Sequence, residues 1–548
     1  MKRIGIFGWG IVAPRSPDIA TFAKNLEGGE SWLTAFDGFG PSTFLVGEPE
    51  FDFSQYRAWI DERFPPSKFP QLQQKMGMMT QYTIGAFIQS LQQNPGIEQT
   101  LQELGNQAHI LVGTGLGEMP IQYDCSVDLY QAQRRWNRFW AAPERNSDRK
   151  QYEESGEPDR LELDEKWGTP PDPRALSEHD PDREDAGNAW FDFWMRRSDG
   201  LEQYLGAFNA IEAQGISDEV ERTKLMLIRR KKAEFAKLQK EWGCPEPPWL
   251  SVSANLIWNI SNTPAAQVSM LGRIKGPTFA PVAACSSFGV GLGLAMRAIK
   301  AGDAKAVVVG MCDPPPHPLS VAAFYRARVL SGDRRPSAPL SDLRGTHVAG
   351  GSIVWIVGDH EYMTAQGYRP LGLEVLSVGV TSDAHHIITP TRHGPQEAIE
   401  IAVAGAAPPG SPGSPGSPGS PGSNSNRFGT WDMHATATPG DYLEVETLRE
   451  VFPEDLQVTA RKGIFGHGMA ASGGWELTAQ YLGITSGKMP PTPLTSAEMH
   501  PRIESAPYAY VLNEAEDAPA GLAGKLSMGI GGINACVVSR RWEDGPQD

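Results

Sequence analysis

The chain has 548 residues, long enough for one large duplicated fold or several domains, with 49 basic and 65 acidic side chains and a net charge of −16. This acidity argues against nucleic acid or an anionic membrane as the main partner. Its five cysteines lack metal-ligand spacing, which predicts a reduced, cytoplasmic protein, and no apolar stretch reaches the ~18 residues needed to span a bilayer.

The first predicted element is a buried strand near residues 4–13, and two other interpretations of it remain open. Two basic residues precede it, so it resembles a short signal peptide, although no A-x-A cleavage motif follows. The string GWGIVA at residues 8–13 also matches a loose dinucleotide-binding fingerprint, but Pro14 and Pro17 interrupt the helix that such a site requires. A strand followed by a glycine turn is the favoured interpretation.

Strands and helices alternate up to about residue 120. A helix is predicted over residues 76–91 and a strand over residues 109–112, where the strand runs into the glycine-rich string GTGLG. This alternation predicts an α/β fold.

A charged block rich in tryptophan, arginine, aspartate and proline interrupts this pattern over residues 121–250. Its middle, residues 146–185, is predicted to be loop, and residues 217–242 are predicted to form a helix with Ser217 as N-cap. The basic run at residues 229–232 predicts either a solvated face or a docking patch for an acidic partner. We expect the block to pack at an active-site entrance or a dimer edge, with its tryptophans as hydrophobic anchors.

Cys285 is the strongest candidate for chemistry. Residues 278–291 read TFAPVAACSSFGVG, an apolar strand that leads through the cysteine into a glycine- and alanine-rich helix ending at Gly302. At a helix N-terminus the macrodipole and free N–H groups favour a thiolate. This position predicts a nucleophile for covalent acyl chemistry.

Five Pro-Gly-Ser triplets occupy residues 409–423, inside a segment that we place at 408–426. Five triplets are too few for a collagen triple helix, so an exposed loop with polyproline II character is expected. Residues 428–541 return to the α/β pattern.

Two histidines in this last region are candidates for the active site. His434 follows an apolar strand, and Asp441 with Glu444 is predicted to form a capping box for the next helix. His467 stands between two glycines just before a helix, where an imidazolium is disfavoured, so it should be a neutral hydrogen-bond donor. The string SMGIGGINAC at residues 527–536 forms a turn whose N–H groups can stabilise an oxyanion.

The order of these motifs resembles the β-ketoacyl synthases of the thiolase superfamily. Residues 434–441 read HATATPGD, similar to the first histidine motif of the family, and residues 462–467 match the K-x-x-x-G-H of its second. The resemblance covers most of residues 1–120 and 250–541. Neither the 121–250 block nor the Pro-Gly-Ser segment has a counterpart in it.

The resemblance implies a thiolase-like fold of five αβαβα layers built from two similar halves. The halves would be residues 1–360, with the nucleophile and the insertion, and residues 361–548, with both histidines. It also implies a homodimer that takes acyl and malonyl thioesters from acyl carrier protein, with no metal and no organic cofactor.

The resemblance also implies a role for each candidate residue. Cys285 would carry the acyl group, while His434 and His467 would hold the malonyl thioester carbonyl as carbon dioxide leaves. Lys462 would order the site electrostatically. The N–H groups of Cys285 and Ile530 would stabilise the oxyanion. Gly529 and Gly531 flank Ile530 in the same oxyanion and gating turn.

Three positions depart from the family pattern and keep other functions open. Ile530 stands where a gating phenylalanine is usual, Ala435 replaces a glycine, and residues 346–352 lack an expected glutamate. An acyltransferase or decarboxylase with another acceptor, or a chain-length-factor-like partner in a heterodimer, are the alternatives to decarboxylative condensation in fatty-acid or polyketide synthesis.

Overall fold

The computed structural model describes residues 2–40, 44–215, 221–341, 343–407, 427–452, 456–506 and 508–542, and for residues 221–225 it describes the backbone only. It divides into two compact units: Met1–Pro120 with Ile257–Asp548, and Ile121–Leu256. The predicted Pro-Gly-Ser loop and the predicted N-cap Ser217 lie outside the described residues.

The strands of the first unit form two mixed sheets and two short ribbons. The first sheet has the order β1-β7-β6-β4-β5 and the second the order β12-β10-β9-β14-β15-β8. The strands are β1 (Ile4–Val12), β2 (Thr34–Ala35), β3 (Leu45–Val46), β4 (Ala108–Thr114), β5 (Thr278–Phe279), β6 (Ala306–Asp313), β7 (Gly351–Asp359), β8 (Glu374–Ser382), β9 (Phe428–Asp432), β10 (Gln457–Thr459), β11 (Lys488–Met489), β12 (Ala509–Tyr510), β13 (Glu516–Asp517), β14 (Leu522–Gly529) and β15 (Ile533–Arg540).

Helices connect these strands and make up the second unit. In chain order they are α1 (Ile19–Leu26), α2 (Arg57–Arg63), α3 (Lys68–Lys75), α4 (Met78–Gln92), α5 (Ile97–Glu103), α6 (Met119–Trp140), α7 (Ser147–Glu154), α8 (Glu157–Trp167), α9 (Arg183–Arg196), α10 (Asp199–Glu212), α11 (Glu221–Trp242), α12 (Pro248–Ser251), α13 (Asn255–Trp258), α14 (Thr263–Gly272), α15 (Ser287–Ala301), α16 (Pro318–Arg326), α17 (His360–Ala365), α18 (His393–Ala406), α19 (Gly440–Val451), α20 (Lys462–Phe465), α21 (Met469–Ser486) and α22 (Pro501–Glu504).

The first unit has five layers. Helices α4 and α14 cover the outer face of the first sheet, and α18 covers the outer face of the second. Between the sheets lie α15 and α21, which pack on each other and on strands of both sheets. Helix α21 is buried on every side over most of its length, as its largely apolar sequence requires. The α/β fold with αβαβα layers, expected from the resemblance, is therefore confirmed.

The two sheets repeat one pattern. Read from β1 to β5, successive neighbours pair antiparallel, antiparallel, parallel and parallel. Read from β8 through β15, β14 and β9 to β10, the pairings follow the same order. Helix α15 follows the fifth strand of the first series and α21 follows the fifth strand of the second. The chain thus contains two copies of one topology that its sequence does not reveal.

Strand β1 confirms the favoured interpretation of the N-terminus. All nine of its residues are buried, and it pairs with β7. A Cβ added at Gly8 or Gly10 would lie 2.1 Å and 1.9 Å from backbone carbonyl oxygens of Ser90 and Ala86 in α4. The glycines therefore allow a helix to approach the sheet closely, and a dinucleotide site is not needed to explain them.

The second unit corrects the prediction of loop over residues 146–185. This segment contains α7, α8 and the start of α9. The side chain of Asn146 caps α7, and a proline stands in the first turn of α8. These helices are short and polar, so apolar periodicity does not mark them, and a tryptophan core holds them instead.

The tryptophans of this unit form its own core. Trp136 and Trp140 pack around Tyr204, and Trp190 and Trp194 pack around Tyr152. These four indoles are buried inside the unit, so they do not anchor the block on a neighbouring surface. Trp249 is 48% exposed, and for it the expectation stays a prediction. The location of the block at an entrance or dimer edge stays a prediction.

Candidate active site

Cys285 occupies the predicted junction between strand and helix. It lies in a short 3-10 turn, Ala284–Ser286, that links β5 to the N-terminus of α15. Ala284 adopts a φ of 47°, a left-handed conformation that costs a non-glycine residue about 1 kcal/mol or more. The turn is held by Ser287, whose hydroxyl accepts from the Ala283 N–H and donates to the Ala284 carbonyl. The hydrogen bonds of Ser287 therefore hold the strained turn in one conformation, and this conformation sets the position of the Cys285 thiol.

The thiol meets an imidazole and two backbone donors. Cys285 Sγ lies 3.0 Å from His467 Nε2. The backbone N–H groups of Ile530 and of Cys285 itself act on the sulfur and lower the pKa of the thiol, against the effect of burial. An acyl carbonyl attached to this sulfur would place its oxygen near the same two donors, which is the arrangement of an oxyanion hole.

Burial corrects the prediction that the resting cysteine is a thiolate. Desolvation raises the pKa of the Cys285 thiol to about 11, and the charge of Lys462 and the Ile530 N–H offset only part of this effect. Cys285 is only 6% exposed, and the nearby helix terminus does not compensate for the lost hydration. Cys285 is therefore a neutral thiol at rest, and an attack by its sulfur would require loss of the proton.

The glycine-rich string forms the turn of a hairpin between β14 and β15. Ser286, the neighbour of the nucleophile, donates its hydroxyl to the carbonyl oxygens of Ser527 and Ile533, at 3.0 Å and 2.7 Å. Gly531 adopts a φ of 93° in this turn, which a side chain disfavours. One serine thus fixes the hairpin, and with it the Ile530 N–H, to the turn that carries the thiol.

His434 lies in the loop after β9, as predicted, but Asp441 and Glu444 do not form a capping box. Instead, the Glu444 carboxylate accepts the backbone N–H groups of His434 and Ala435 at 2.8 Å and 3.0 Å. The Asp441 carboxylate accepts the N–H of Thr436 at 2.9 Å. Both side chains turn back from α19 and fix the loop, because its buried N–H groups have no strand partner there.

His467 lies just before α21 and confirms the prediction of a neutral imidazole. Burial holds the pKa of His467 well below its ordinary value, with the charge of Lys462 as the second cause. Its backbone N–H donates to the His347 carbonyl at 2.7 Å, and its carbonyl accepts from the Ala349 N–H at 2.9 Å. The segment that lacks the expected glutamate therefore supports His467 through its backbone.

Lys462 lies behind His434 rather than beside the thiol. Its Nζ donates to the His434 carbonyl at 2.5 Å, lies 3.4 Å from His434 Nδ1 and pairs with Glu476 Oε1 at 2.5 Å. An ammonium has no acceptor, so Nδ1 of His434 must accept and Nε2 must carry the proton. Burial and Lys462 together hold the pKa of His434 well below its ordinary value.

The sequence did not reveal four further charged residues of this region. Asp432, Arg461, Glu476 and Lys525 are almost completely buried around Lys462. Asp432 pairs with Arg461, and Lys525 pairs with Glu476 at 2.8 Å. The available signal was a charged side chain inside an apolar stretch: Glu476 in α21 and Lys525 in β14. Such residues are almost never fully buried unless they are paired.

A cavity of about 120 Å³ joins the predicted residues. Cys285, His434, His467, Gly529 and Ile530 line it, whereas Lys462 and Gly531 do not. The rings of the two histidines meet edge to face with centroids 5.5 Å apart. The remaining lining is largely apolar: Phe324, Val329, Ile388, Pro390, Met469 and Met528, with Thr346, Thr436, Thr438 and Gly440. The cavity offers an apolar space at the thiol and two imidazoles on one side of it.

In sequence, the chain is similar to known β-ketoacyl synthases. Family models match the beta-ketoacyl synthase N-terminal domain at residues 207–357 and its C-terminal domain at residues 420–495. The 3-oxoacyl-[acyl-carrier-protein] synthase 2 of Staphylococcus aureus (strain COL) is 29% identical over 296 residues, which are 52% of this chain and 66% of that protein. The chain therefore spans just under two thirds of this relative's length.

Solved structures establish the fold. The ishigamide ketosynthase/chain length factor superposes with a TM-score of 0.64 at 18% identity and covers 99% of both chains. A type II PKS acyl-carrier protein in complex with its ketosynthase, bound to the hexaketide, gives a TM-score of 0.61 at 16% identity and covers 99% of this chain and 100% of that one.

Proposed function

We propose that the chain is a β-ketoacyl synthase, as its matches to that family suggest, and that it catalyses the decarboxylative condensation of an acyl thioester with a malonyl thioester. The observation that carries the proposal is the convergence of Cys285, His434, His467 and the Ile530 N–H on one apolar cavity. A fixed nucleophile, an oxyanion hole and two neutral imidazoles are the groups that this reaction requires.

The first step transfers the acyl group to Cys285. As Sγ attacks the thioester carbonyl, its proton passes to His467 Nε2, 3.0 Å away, and then to the sulfur of the departing thiol. The N–H groups of Cys285 and Ile530 hold the developing oxyanion. One C–S bond forms and one breaks, so the exchange needs no other reagent.

The second step requires both histidines as donors. A malonyl thioester carbonyl between their Nε2–H groups accepts two hydrogen bonds, which strengthen as carbon dioxide leaves and the enolate forms. The enolate carbon then attacks the acyl-Cys285 thioester, and the acyl C–S bond breaks. The Cys285 sulfur leaves as a thiolate, which takes up a proton from solvent to restore the neutral thiol. Lys462 fixes the Nε2–H tautomer of His434. Nδ1 of His467 has no hydrogen-bond partner among the described residues, so no neighbour fixes its tautomer. The Nδ1–H form accepts the thiol proton at Nε2 in the first step. Exchange of a proton with solvent between the steps gives the Nε2–H form that donates in the second.

We assign the thioester carrier as acyl carrier protein, and the pathway as fatty-acid or polyketide synthesis. The names of the relatives support this assignment: one is a synthase of acyl-carrier-protein thioesters and another was solved with its acyl-carrier protein. All five cysteines are free, which supports a reduced, cytoplasmic location. Among the described residues, no helix is long and apolar enough to cross a membrane.

A homodimer is also part of the proposal. Strand β5 lies at the edge of the first sheet, and Phe279 and Val282 beside it are 59% and 60% exposed. An apolar edge strand of this kind pairs readily with a second copy. Light scattering of the full chain should give twice the mass of one chain, and a monomer at micromolar concentration would refute this part.

The central test is intact-mass measurement of the protein after mixing with an acyl thioester and malonyl thioester of acyl carrier protein. Wild type should gain the acyl mass at Cys285 and release a condensed β-ketoacyl thioester, and C285A should do neither. Acylation without condensation, across a range of acyl lengths, would refute the proposal and favour an acyltransferase with another acceptor.

A further inference from the structure

One buried ammonium near His434 has no role in the reaction as described. Lys525 lies on β14 in register with Asp432 of β9, and its side chain is 1% exposed. Its Nζ donates to the carbonyl oxygens of Leu526 and Met433, at 2.6 Å and 3.3 Å. Met433 immediately precedes His434, so Lys525 holds the backbone from which the imidazole projects.

Lys525 also shares a carboxylate with Lys462. Glu476 Oε1 is 2.5 Å from Lys462 Nζ, and Glu476 Oε2 is 2.8 Å from Lys525 Nζ. Each lysine thus takes one oxygen of the same carboxylate. Oε2 accepts no hydrogen bond, so its contact with Lys525 is an ion pair, and the attraction between these charges favours the orientation in which one oxygen faces each lysine. The orientation of Lys462 toward His434 Nδ1 therefore depends on Lys525.

The charge of Lys525 reaches both histidines as well. Burial is the main reason for the low pKa of His434 and of His467, and the positive charges of Lys462 and Lys525 lower the pKa of each further. Lys525 itself stays charged. Burial alone would lower its pKa, but the carboxylates of Glu476 and Asp432 outweigh burial and raise it.

We propose that Lys525 is a positioning residue for His434: it holds the Met433 carbonyl and the Glu476 carboxylate so that His434 keeps its Nε2–H donor aimed into the cavity. The inference rests on the proposed condensation, because only that step uses His434 as a donor. Lys525 does not contact Cys285, so acyl transfer to the thiol should not depend on it.

The pH dependence of this arrangement follows from the charges that face His434. Those charges, from every element packed against the loop, are Lys462, His467, Glu444, Asp441, Glu476 and Lys525. Removing Lys525 takes away a positive charge and leaves Glu476 and Asp432 less compensated. Both changes make an imidazolium easier to form, so the pKa of His434 rises and the acid limb of the condensation profile moves to higher pH.

The test compares wild type with K525M, which keeps most of the side-chain volume and removes the ammonium. Pre-steady-state acylation of Cys285 should be unchanged, whereas kcat for condensation should fall on the order of 100-fold, as expected for a misplaced catalytic group. The KM for the malonyl thioester should change little. Over pH 5 to 9, the acid limb of K525M should lie at higher pH than that of wild type.

Two variants separate positioning from stability. K525R keeps the charge and should retain the wild-type position of the acid limb. K305M is a control. It removes a partly buried lysine that directly precedes β6 and pairs with Asp359 of β7, and it should leave both steps unchanged. Thermal unfolding of each variant reports whether it is folded at the assay temperature. If K525M does not fold, K525Q replaces it, and failure of both while K525R folds would mean a purely structural role and overturn the proposal.

Condensation by K525M at the wild-type rate, or equal loss of acylation and condensation, would also overturn the proposal for Lys525.

A readout independent of turnover distinguishes this inference from the proposed function. Histidine-selective ¹⁵N NMR should show His434 as the Nε2–H tautomer in wild type and K525R, and a mixture of tautomers in K525M. A tautomer unaffected by K525M would refute positioning by Lys525 even if wild type condenses, and an altered tautomer would support it even if wild type does not.

Discussion

The two halves of the first unit place different chemistry at the same point of one topology. In the first half, β5 leads through Cys285 into α15, and in the second half, β10 leads through His467 into α21. The two helices pack on each other between the sheets, and the two side chains end 3.0 Å apart. The repeated strand–turn–helix unit therefore brings the Cys285 thiol and the His467 imidazole together.

The surroundings of the two side chains differ. Around Cys285 the neighbouring polar groups are backbone N–H groups, backbone carbonyls and the hydroxyls of nearby serines. Behind His434 they are buried ions: Lys462 contacts the His434 carbonyl, and Glu476 pairs with both Lys462 and Lys525. The difference predicts that acylation depends on backbone geometry and condensation on the charge network, so that mutations can separate the two steps.

The largest expected effect comes from H434A. Because His434 lies on the side of the charge network and makes no contact with Sγ, acylation of Cys285 should continue. Condensation should fall by about 10²- to 10⁴-fold, the range for loss of one catalytic proton donor. Single-turnover acylation and steady-state condensation, measured on the same preparation, test this separation. H467A is the matched comparison and should lower both rates, because His467 contacts the thiol; equal loss of both rates in H434A would contradict the division of roles.

The pH dependence of Cys285 alkylation tests whether the resting side chain is a thiol or a thiolate. Burial raises the pKa of the thiol to about 11, and the thiolate is the reactive form. The rate of iodoacetamide labelling should therefore rise about tenfold per pH unit between pH 7 and 9, roughly 100-fold in total. Peptide-resolved mass spectrometry separates Cys285 from the other four cysteines, which are also buried. A rate that is already level below pH 8 would show that the resting residue is a thiolate.

A smaller effect is expected for S286A. Without the hydroxyl, the carbonyls of Ser527 and Ile533 lose their tie to the nucleophile turn, at a cost of about 1–2 kcal/mol. The Ile530 N–H then shifts, so acylation and condensation should both fall by about tenfold. S269A is the control. It removes a hydrogen bond from Ser269 of α14 to the carbonyl of Ile274, just after that helix, and should leave both rates unchanged. Loss of condensation alone in S286A would contradict a backbone-held oxyanion site.

Much of the site could be predicted because its signals are local. The strand that enters Cys285, the helix that leaves it, and the glycines around His467 and Ile530 follow each other within a few residues. Local order also identified His434 at a strand end. The roles of Asp441 and Glu444 were wrong because a cap and a loop support use the same residue types, and only the chain path decides which N–H groups lack partners.

By itself the sequence determined the α/β class, the junction between strand and helix at Cys285, and the order of motifs that resembles one family, because each depends on neighbours in the chain. Only the tertiary structure decided the ionisation of Cys285, the contact with His467 and the position of Lys525 behind His434. Ionisation depends on burial, and burial is set by elements that lie 150 or more residues apart, such as α15 and α21. The sequence shows which ionisable groups are present, but folding decides how exposed each group is to solvent and which charges lie near it.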